Sequence, residues 1–286
     1  MRSRYAAPAV LAAVSWPFLE PHFPVLRRTT VPVLEPGARP LSVLHLSDLH
    51  LLPRHERRAA WVRDLARLRP DLVVSTGDHL SSYGALGLLA GIARSFPVPA
   101  VFVPGNNDYY RPRPPIPHRY VTGNQKADRR VMDLPWPEVS AALQGAGWTD
   151  LTHRRLVVEV AGTPVTLTGT DDATLRRDRY PLVAGPVEGL GIGVTHTPMR
   201  RLLDALFGDG HALVLAGHTH GGQLRLPWAG PLVTNCDLER SRARGLSRHG
   251  SNWLNVSAGL GTSPWLPVRL CCRPEATHLT LVPRVR

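Results

Sequence analysis

From Leu41 onward, short apolar runs alternate with stretches of helical periodicity, and this alternation restricts the chain more than any other feature. Residues 41–46 read as a buried strand, Trp61, Leu65 and Leu68 mark one face of a helix, and residues 72–74 form the next strand. A helix over 86–93 then leads to a third strand at 100–103. Strand–helix–strand succession of this kind predicts a layered α/β sheet. A helix over 138–146 follows, and runs at 156–160 and 165–168 flank Gly162-Thr163 as the arms of a hairpin. Further strands are expected at 191–195, 212–215, 254–257 and 279–282. No internal repeat is present, and 286 residues with a 43% hydrophobic share can close around a single core.

The flanks are less regular. Residues 1–40 read as an N-terminal arm and residues 41–286 as the domain proper. Arg2 and Arg4 precede an apolar stretch at 6–16, but Pro8 and Pro17 interrupt it. It also falls short of the roughly 18 apolar residues that a membrane span needs, so the arm is expected to touch a membrane or cap the core. Cys236, Cys271 and Cys272 give neither a disulfide framework nor a metal-type spacing, which favours a reducing, cytoplasmic setting over secretion, with membrane contact left to the arm. Residues 111–137, rich in proline and arginine, read as a long surface loop. The formal charge of +12 is almost all arginine, Lys126 being the lone lysine. Arginine suits phosphate, so this balance fits a small phosphorylated substrate, a phospholipid head group or a nucleic acid. A nucleic-acid partner is disfavoured because no basic-aromatic alternation or binding module accompanies the charge.

Five short segments place ligand-type side chains just past predicted strand ends, where open α/β sheets present their crevices. They are Asp48-Leu49-His50, Gly77-Asp78, Gly105-Asn106-Asn107-Asp108, His196 and Gly217-His218-Thr219-His220. An Asp-x-His or His-x-His pair on an extended chain points both side chains to one side, towards one ion. The glycines allow the backbone to turn sharply beneath it. Carboxylate, imidazole and amide donors without thiolate favour manganese, iron or zinc.

In order and content these segments resemble the signature of the calcineurin-like metallophosphoesterase superfamily. The likeness extends to Gly221-Gly222-Gln223, Gly259-Leu260-Gly261-Thr262-Ser263 and Pro267-Val268-Arg269, a combination similar to a bacterial phosphodiesterase subgroup described as membrane-associated. The resemblance implies a four-layer α-β-β-α sandwich of two mixed sheets and two divalent metal ions that share a nucleophilic hydroxide. It also implies the ligands: Asp48, His50, Asp78 and His220 on one ion, and Asp78, Asn106, His196 and His218 on the other, with Asp78 bridging. Asn107, Asp78 and His196 are the candidate catalytic residues.

One position departs from the family pattern. A histidine usually follows the ligand asparagine, and here Asn107 stands there. An amide donates a hydrogen bond but cannot deliver a proton near neutral pH, and family members with this histidine substituted tend towards diesters, so the resemblance implies a preference for diesters over simple monoesters. Asp171 and Asp172 could position substrate or close a turn, and the turn is favoured. Asp108 is expected to anchor backbone, His45 to pack in the core, and Trp228, Trp253 and Trp265 to pack in the core or rim. A non-catalytic scaffold on the same fold and a nuclease are the competing classes; retention of all seven ligand positions argues against the scaffold.

Overall fold

The computed structural model describes residues 15–114 and 132–284. Two six-stranded sheets carry the architecture. The first contains β1 (Val25–Leu34), β2 (Leu41–Leu46), β3 (Leu72–Ser75), β4 (Ala100–Phe102), β5 (Thr149–Asp150) and β14 (Glu275–Pro283), in the spatial order β1-β14-β2-β3-β4-β5. Strands β2 to β5 are parallel neighbours, while β14 runs antiparallel to β2 and parallel to β1. The second sheet contains β6 (Arg154–Val160), β7 (Thr163–Gly169), β8 (Leu190–Val194), β9 (Leu213–Ala216), β12 (Gly245–His249) and β13 (Asn252–Val256), in the order β12-β13-β9-β8-β7-β6. Its four inner strands are parallel and its two edges antiparallel. A two-stranded ribbon, β10 (Arg225–Leu226) with β11 (Gly230–Pro231), stands apart.

Strand alternation explains the layers, because successive side chains point to opposite faces. Val43, Leu72, Val74 and Val101 of the first sheet meet Val165, Leu167, Ile192, Val194, Leu213 and Leu215 of the second in one buried core. The opposite face of the first sheet, with Leu44, Leu46, Val73 and Phe102, packs under helices α1 (Glu56–Asp64), α2 (Leu86–Arg94) and α3 (Trp136–Gly145). Val214, Ala216, Leu254 and Val256 cover the outer face of the second sheet together with Leu202, Leu203, Leu206 and Phe207 of α4 (Arg200–Gly208). The result is the four-layer α-β-β-α sandwich. Each fully buried Leu, Ile or Val contributes about 1.5–3 kcal/mol.

Most expected elements are present, with shifted ends. Helix α3 starts at Trp136 rather than at 138, because Pro137 fits a first helical turn whose N–H groups have no intrahelical acceptor. The hairpin turns on Ala161 and Gly162, both with positive φ, as a two-residue connection demands. Residues 25–34, counted from the sequence within the arm, form β1 and pair along their length with β14, so the sheet begins at Val25. Residues 6–14 of the apolar stretch and 115–131 of the arginine-rich loop lie outside the described residues. Among those described, no helix is long and apolar enough to cross a membrane.

Candidate metal centre

All seven predicted ligands lie in loops that leave strand ends. Asp48 and His50 follow β2, Asp78 follows β3 and Asn106 follows β4; from the other sheet, His196 follows β8, and His218 and His220 follow β9. The backbone there is not extended as the Asp-x-His spacing suggested. Asp48, His50, Asp78, His218 and His220 have φ of 49°, 43°, 55°, 68° and 49°. Five non-glycine residues in the sparsely populated left-handed region, at about 1–3 kcal/mol each, is the kind of strain that concentrates at functional sites. Glycines serve the site in two ways. Gly77, at φ +89°, supplies both a turn and close approach to the Gly105 backbone, and Gly217 supplies room, because a Cβ there would strike Ser47 Oγ and lie 2.5 Å from Asp48 Oδ2.

The side chains converge in two linked groups. One ligand atom each from Asp48, His50, Asp78 and His220 lies within 4.8 Å of the others. Within this group His50 Nε2 is 3.4 Å from Asp78 Oδ2, and His220 Nε2 is 3.5 Å from Asp48 Oδ1. In the second group His218 Nδ1 is 3.2 Å from both Asn106 Oδ1 and His196 Nε2, and His196 Nε2 is 3.5 Å from Asp78 Oδ2. Asp78 Oδ2 therefore belongs to both.

Hydrogen bonds on the outer side fix which nitrogen faces inward. His50 Nδ1 meets Ser81 Oγ at 3.2 Å, His196 Nδ1 meets the Thr76 carbonyl at 2.6 Å, and His220 Nδ1 meets the Gly261 carbonyl at 3.2 Å. His218 uses Nε2 instead, 3.3 Å from the Asn235 carbonyl. Each contact to a carbonyl needs N–H on the outer nitrogen, which leaves the inner one a lone pair unless the ring is charged. His220 Nε2 then presents a lone pair 3.2 Å from His50 Nε2, and buried Asp48 Oδ1 has no hydrogen-bond partner. An inward imidazole lone pair beside an orphaned carboxylate oxygen suits a cation between them. The donor set present fits one.

Electrostatics agree with this. Burial pushes His218 down to about 4, and holds His50 and His220 below the usual imidazole range, so these rings are neutral and ready to donate. His196 is the exception: burial opposes its charge, but the carboxylates of Asp78, Asp48 and Asp172 together outweigh burial and keep it protonated well above the usual range. Burial likewise raises Asp48, whereas for Asp78 the facing His196 outweighs burial and holds the carboxyl low. A divalent cation would take over the neutralisation that this one proton provides, and binding it would release the proton.

Surrounding residues hold the ligands in place. Asp108 accepts from the backbone N–H groups of Asp78, His79 and Gly105 at 2.8, 2.8 and 2.9 Å, which makes it the expected backbone anchor. Asn107 donates from its backbone N–H to Asp78 Oδ1 and from its amide to Asp78 Oδ2, both at 2.7 Å. Asp172 accepts from the backbone N–H of Leu175, which closes the turn after β7, and from Thr197, whereas Asp171 accepts from the side chains of Tyr109 and Arg177. Burial raises the Asp172 carboxyl to about 6.

Other contributors were not legible in the sequence. His45 packs between the sheets as expected, yet both its nitrogens are bonded, Nδ1 to Asn255 at 2.9 Å and Nε2 to Thr76 Oγ1 at 3.0 Å. Thr76 donates to Ser47 and Ser47 to Asp48 Oδ2, so a chain of hydrogen bonds runs from the inter-sheet core to a ligand. Arg269 is fully buried. Its guanidinium donates to the carbonyls of Ala258, Gly259, Gly261 and Cys272, and Gly261 also receives His220 Nδ1. Arg269 and the Gly259–Gly261 segment belong to motifs already noted in the sequence, but residue type and spacing announce neither their contact nor the partners of His45. Trp228, expected to pack, is 85% exposed beyond the ribbon strand β10.

A buried Asp/His centre at the strand ends of an α-β-β-α sandwich defines a metal-binding hydrolase scaffold. The calcineurin-like phosphoesterase family matches residues 41–222, and the chain belongs to that family. It is 28% identical over 259 residues to the uncharacterized metallophosphoesterase YkoQ of Bacillus subtilis, covering 85% of this chain and 84% of that one. It is also 28% identical over 274 residues to the phosphodiesterase YaeI of Escherichia coli, covering 93% and 91%. Among solved structures, the phosphopantetheinyl hydrolase of Mycobacterium tuberculosis aligns with a TM-score of 0.46 at 13% identity, over 80% of this chain and 94% of that one.

Proposed function

We infer that this metallophosphoesterase is a phosphodiesterase working with two divalent metal ions. Asp48, His50, Asp78 and His220 would hold one, Asp78, Asn106, His196 and His218 the other, with Asp78 common to both. When bound, such a pair acidifies water and offsets the charge that grows on phosphorus oxygens. The donor set suits manganese, iron or zinc. The protein's own part is to hold these groups rigidly: the outer hydrogen bonds of the four imidazoles fix their orientation, and Asp108 fixes the loop that carries Asp78.

Asn107 carries the diesterase reading. Its amide lies 2.7 Å from Asp78 Oδ2 at the heart of the centre, where it can donate a hydrogen bond to a phosphoryl oxygen but has no proton for a leaving group. Esters with good leaving groups and a single negative charge suit such a site better than monoester dianions. The 28% identity to a protein named as a phosphodiesterase supports the same reading. Small phosphodiesters, including phospholipid head groups, are the substrate class.

The test is metal analysis of the purified protein together with hydrolysis of bis-p-nitrophenyl phosphate and p-nitrophenyl phosphate in manganese. Two ions per chain and faster diester turnover are expected. Faster monoester turnover would overturn the preference, and two bound ions with no hydrolysis of either would favour a scaffold.

A further inference from the structure

Beside the metal centre lies a shallow, open cavity of about 270 Å³, lined by Trp16, Glu20, Arg27, Arg244, Cys271 and Arg273. The two share a wall. Cys272, next to Cys271, donates its thiol to the His220 carbonyl at 3.2 Å, and the Arg244 side chain packs against Gly221.

The charges of the lining do not cancel. Glu20 is buried, and its carboxylate is already occupied by the indole N–H of Trp16 at 2.9 Å and the backbone N–H groups of Cys271 and Cys272 at 3.0 and 2.5 Å. Arg27 is paired with Glu275 at 3.1 Å. Arg273 donates to the Phe23 carbonyl at 2.8 Å, and Arg244 approaches the Cys272 sulfur at 3.8 Å. Among the described residues neither Arg244 nor Arg273 has a carboxylate partner. Glu20 and Glu275 offset two of the three guanidinium charges of Arg27, Arg244 and Arg273, which leaves the lining with one positive charge in excess, and guanidinium forks match the geometry of phosphate oxygens. The rim adds a second chemistry. Trp16 stacks on Phe23 with ring centres 6.1 Å apart, and Trp16, Phe18, Leu19 and Phe23 are each roughly half exposed within one short segment. Apolar side chains gathered in this way mark a contact surface.

We propose that this cavity is a phosphate-binding site separate from the metal centre, and that it takes a phosphate group carried on an apolar body. Arg244 and Arg273 bind the phosphate, and Trp16 covers the apolar part next to it. The site does not depend on the diesterase reading, because none of its lining residues is among the metal ligands.

Calorimetric titration of the full-length protein with inorganic phosphate and with hexyl phosphate tests this. Treating the protein with a chelator keeps the metal centre from competing. Hexyl phosphate is expected to bind more tightly than inorganic phosphate. The Arg244→Gln/Arg273→Gln double variant should weaken both by about tenfold or more, the scale of losing one or two charge-assisted hydrogen bonds. Trp16→Ala should weaken hexyl phosphate alone. Co-sedimentation with vesicles of phosphatidic acid but not phosphatidylcholine would identify the ligand as a lipid phosphate, and hexyl phosphate binding without co-sedimentation a soluble ester; either supports the site. Unchanged affinity in a double variant whose circular dichroism matches wild type would overturn it, as would no binding of either phosphate.

Discussion

The inter-sheet core and the metal centre are built from the same strands by opposite rules. Along β2, β3, β8 and β9 the backbone is regular and the inward side chains are apolar. A few residues past the ends of β2, β3 and β9, left-handed backbone carries charged and imidazole groups, and Asp48, His50, Asp78 and the His196 that follows β8 are only 0–2% exposed. The core stabilises the fold by burial. The centre spends part of that stability on strain and desolvation, and only a network of oriented donors makes it tolerable. Rigid strands thus allow costly loops to be placed accurately.

The sharpest break in this contrast is Asp78→Asn, which removes the charge common to both ligand groups. Hydrolysis should fall to background and metal content from two ions per chain to one or none, measured by elemental analysis. Next is Asp108→Ala, which leaves three buried backbone N–H groups without an acceptor. A loss of about 3–5 kcal/mol in urea unfolding is expected, together with weakened metal binding. Leu215→Ala in the core should cost a comparable 2–5 kcal/mol or so, yet leave metal content intact. Equal effects of these two on metal content would erase the distinction between the regions.

A smaller effect concerns His45, which joins them. Burial pushes it down to about 3 from an ordinary value of 6.5. Above pH 6.5 the ring is neutral in both folded and unfolded chains, so its burial carries no protonation cost. As pH falls from 6.5 towards 3, the unfolded chain takes up a proton that the folded one refuses, and stability is lost. The urea midpoint of the metal-free protein should therefore drop between pH 7 and 4.5, and drop less in His45→Gln. Smallest of all, Val157→Thr on the exposed face of β6 should change stability by no more than about 0.5 kcal/mol and leave hydrolysis untouched.

What the sequence made legible follows the same division. Strand β2 and helix α2 stood out because their apolar residues repeat with the right period, and the seven ligand positions because they follow strand ends in a fixed order. Strand β1 did not, since Arg27, Arg28, Thr29 and Thr30 interrupt its apolar pattern and Pro32 argues against a central strand. As an edge strand it tolerates both. Strand β12 was missed for the same reason. The left-handed ligand backbones, the chain from His45 to Asp48 and the buried Arg269 depend on distant partners, and single-residue spacing carries no trace of these.

The place of β14 has a consequence for synthesis. It lies between β1 and β2, so two strands made early stay apart until residues 275–283 have left the ribosome. More than two hundred residues separate β2 from β14, its native neighbour, and the loop bearing Asp48 and His50 follows β2. Such late, long-range closure slows folding, and it ties completion of the metal centre to the arrival of the last strand.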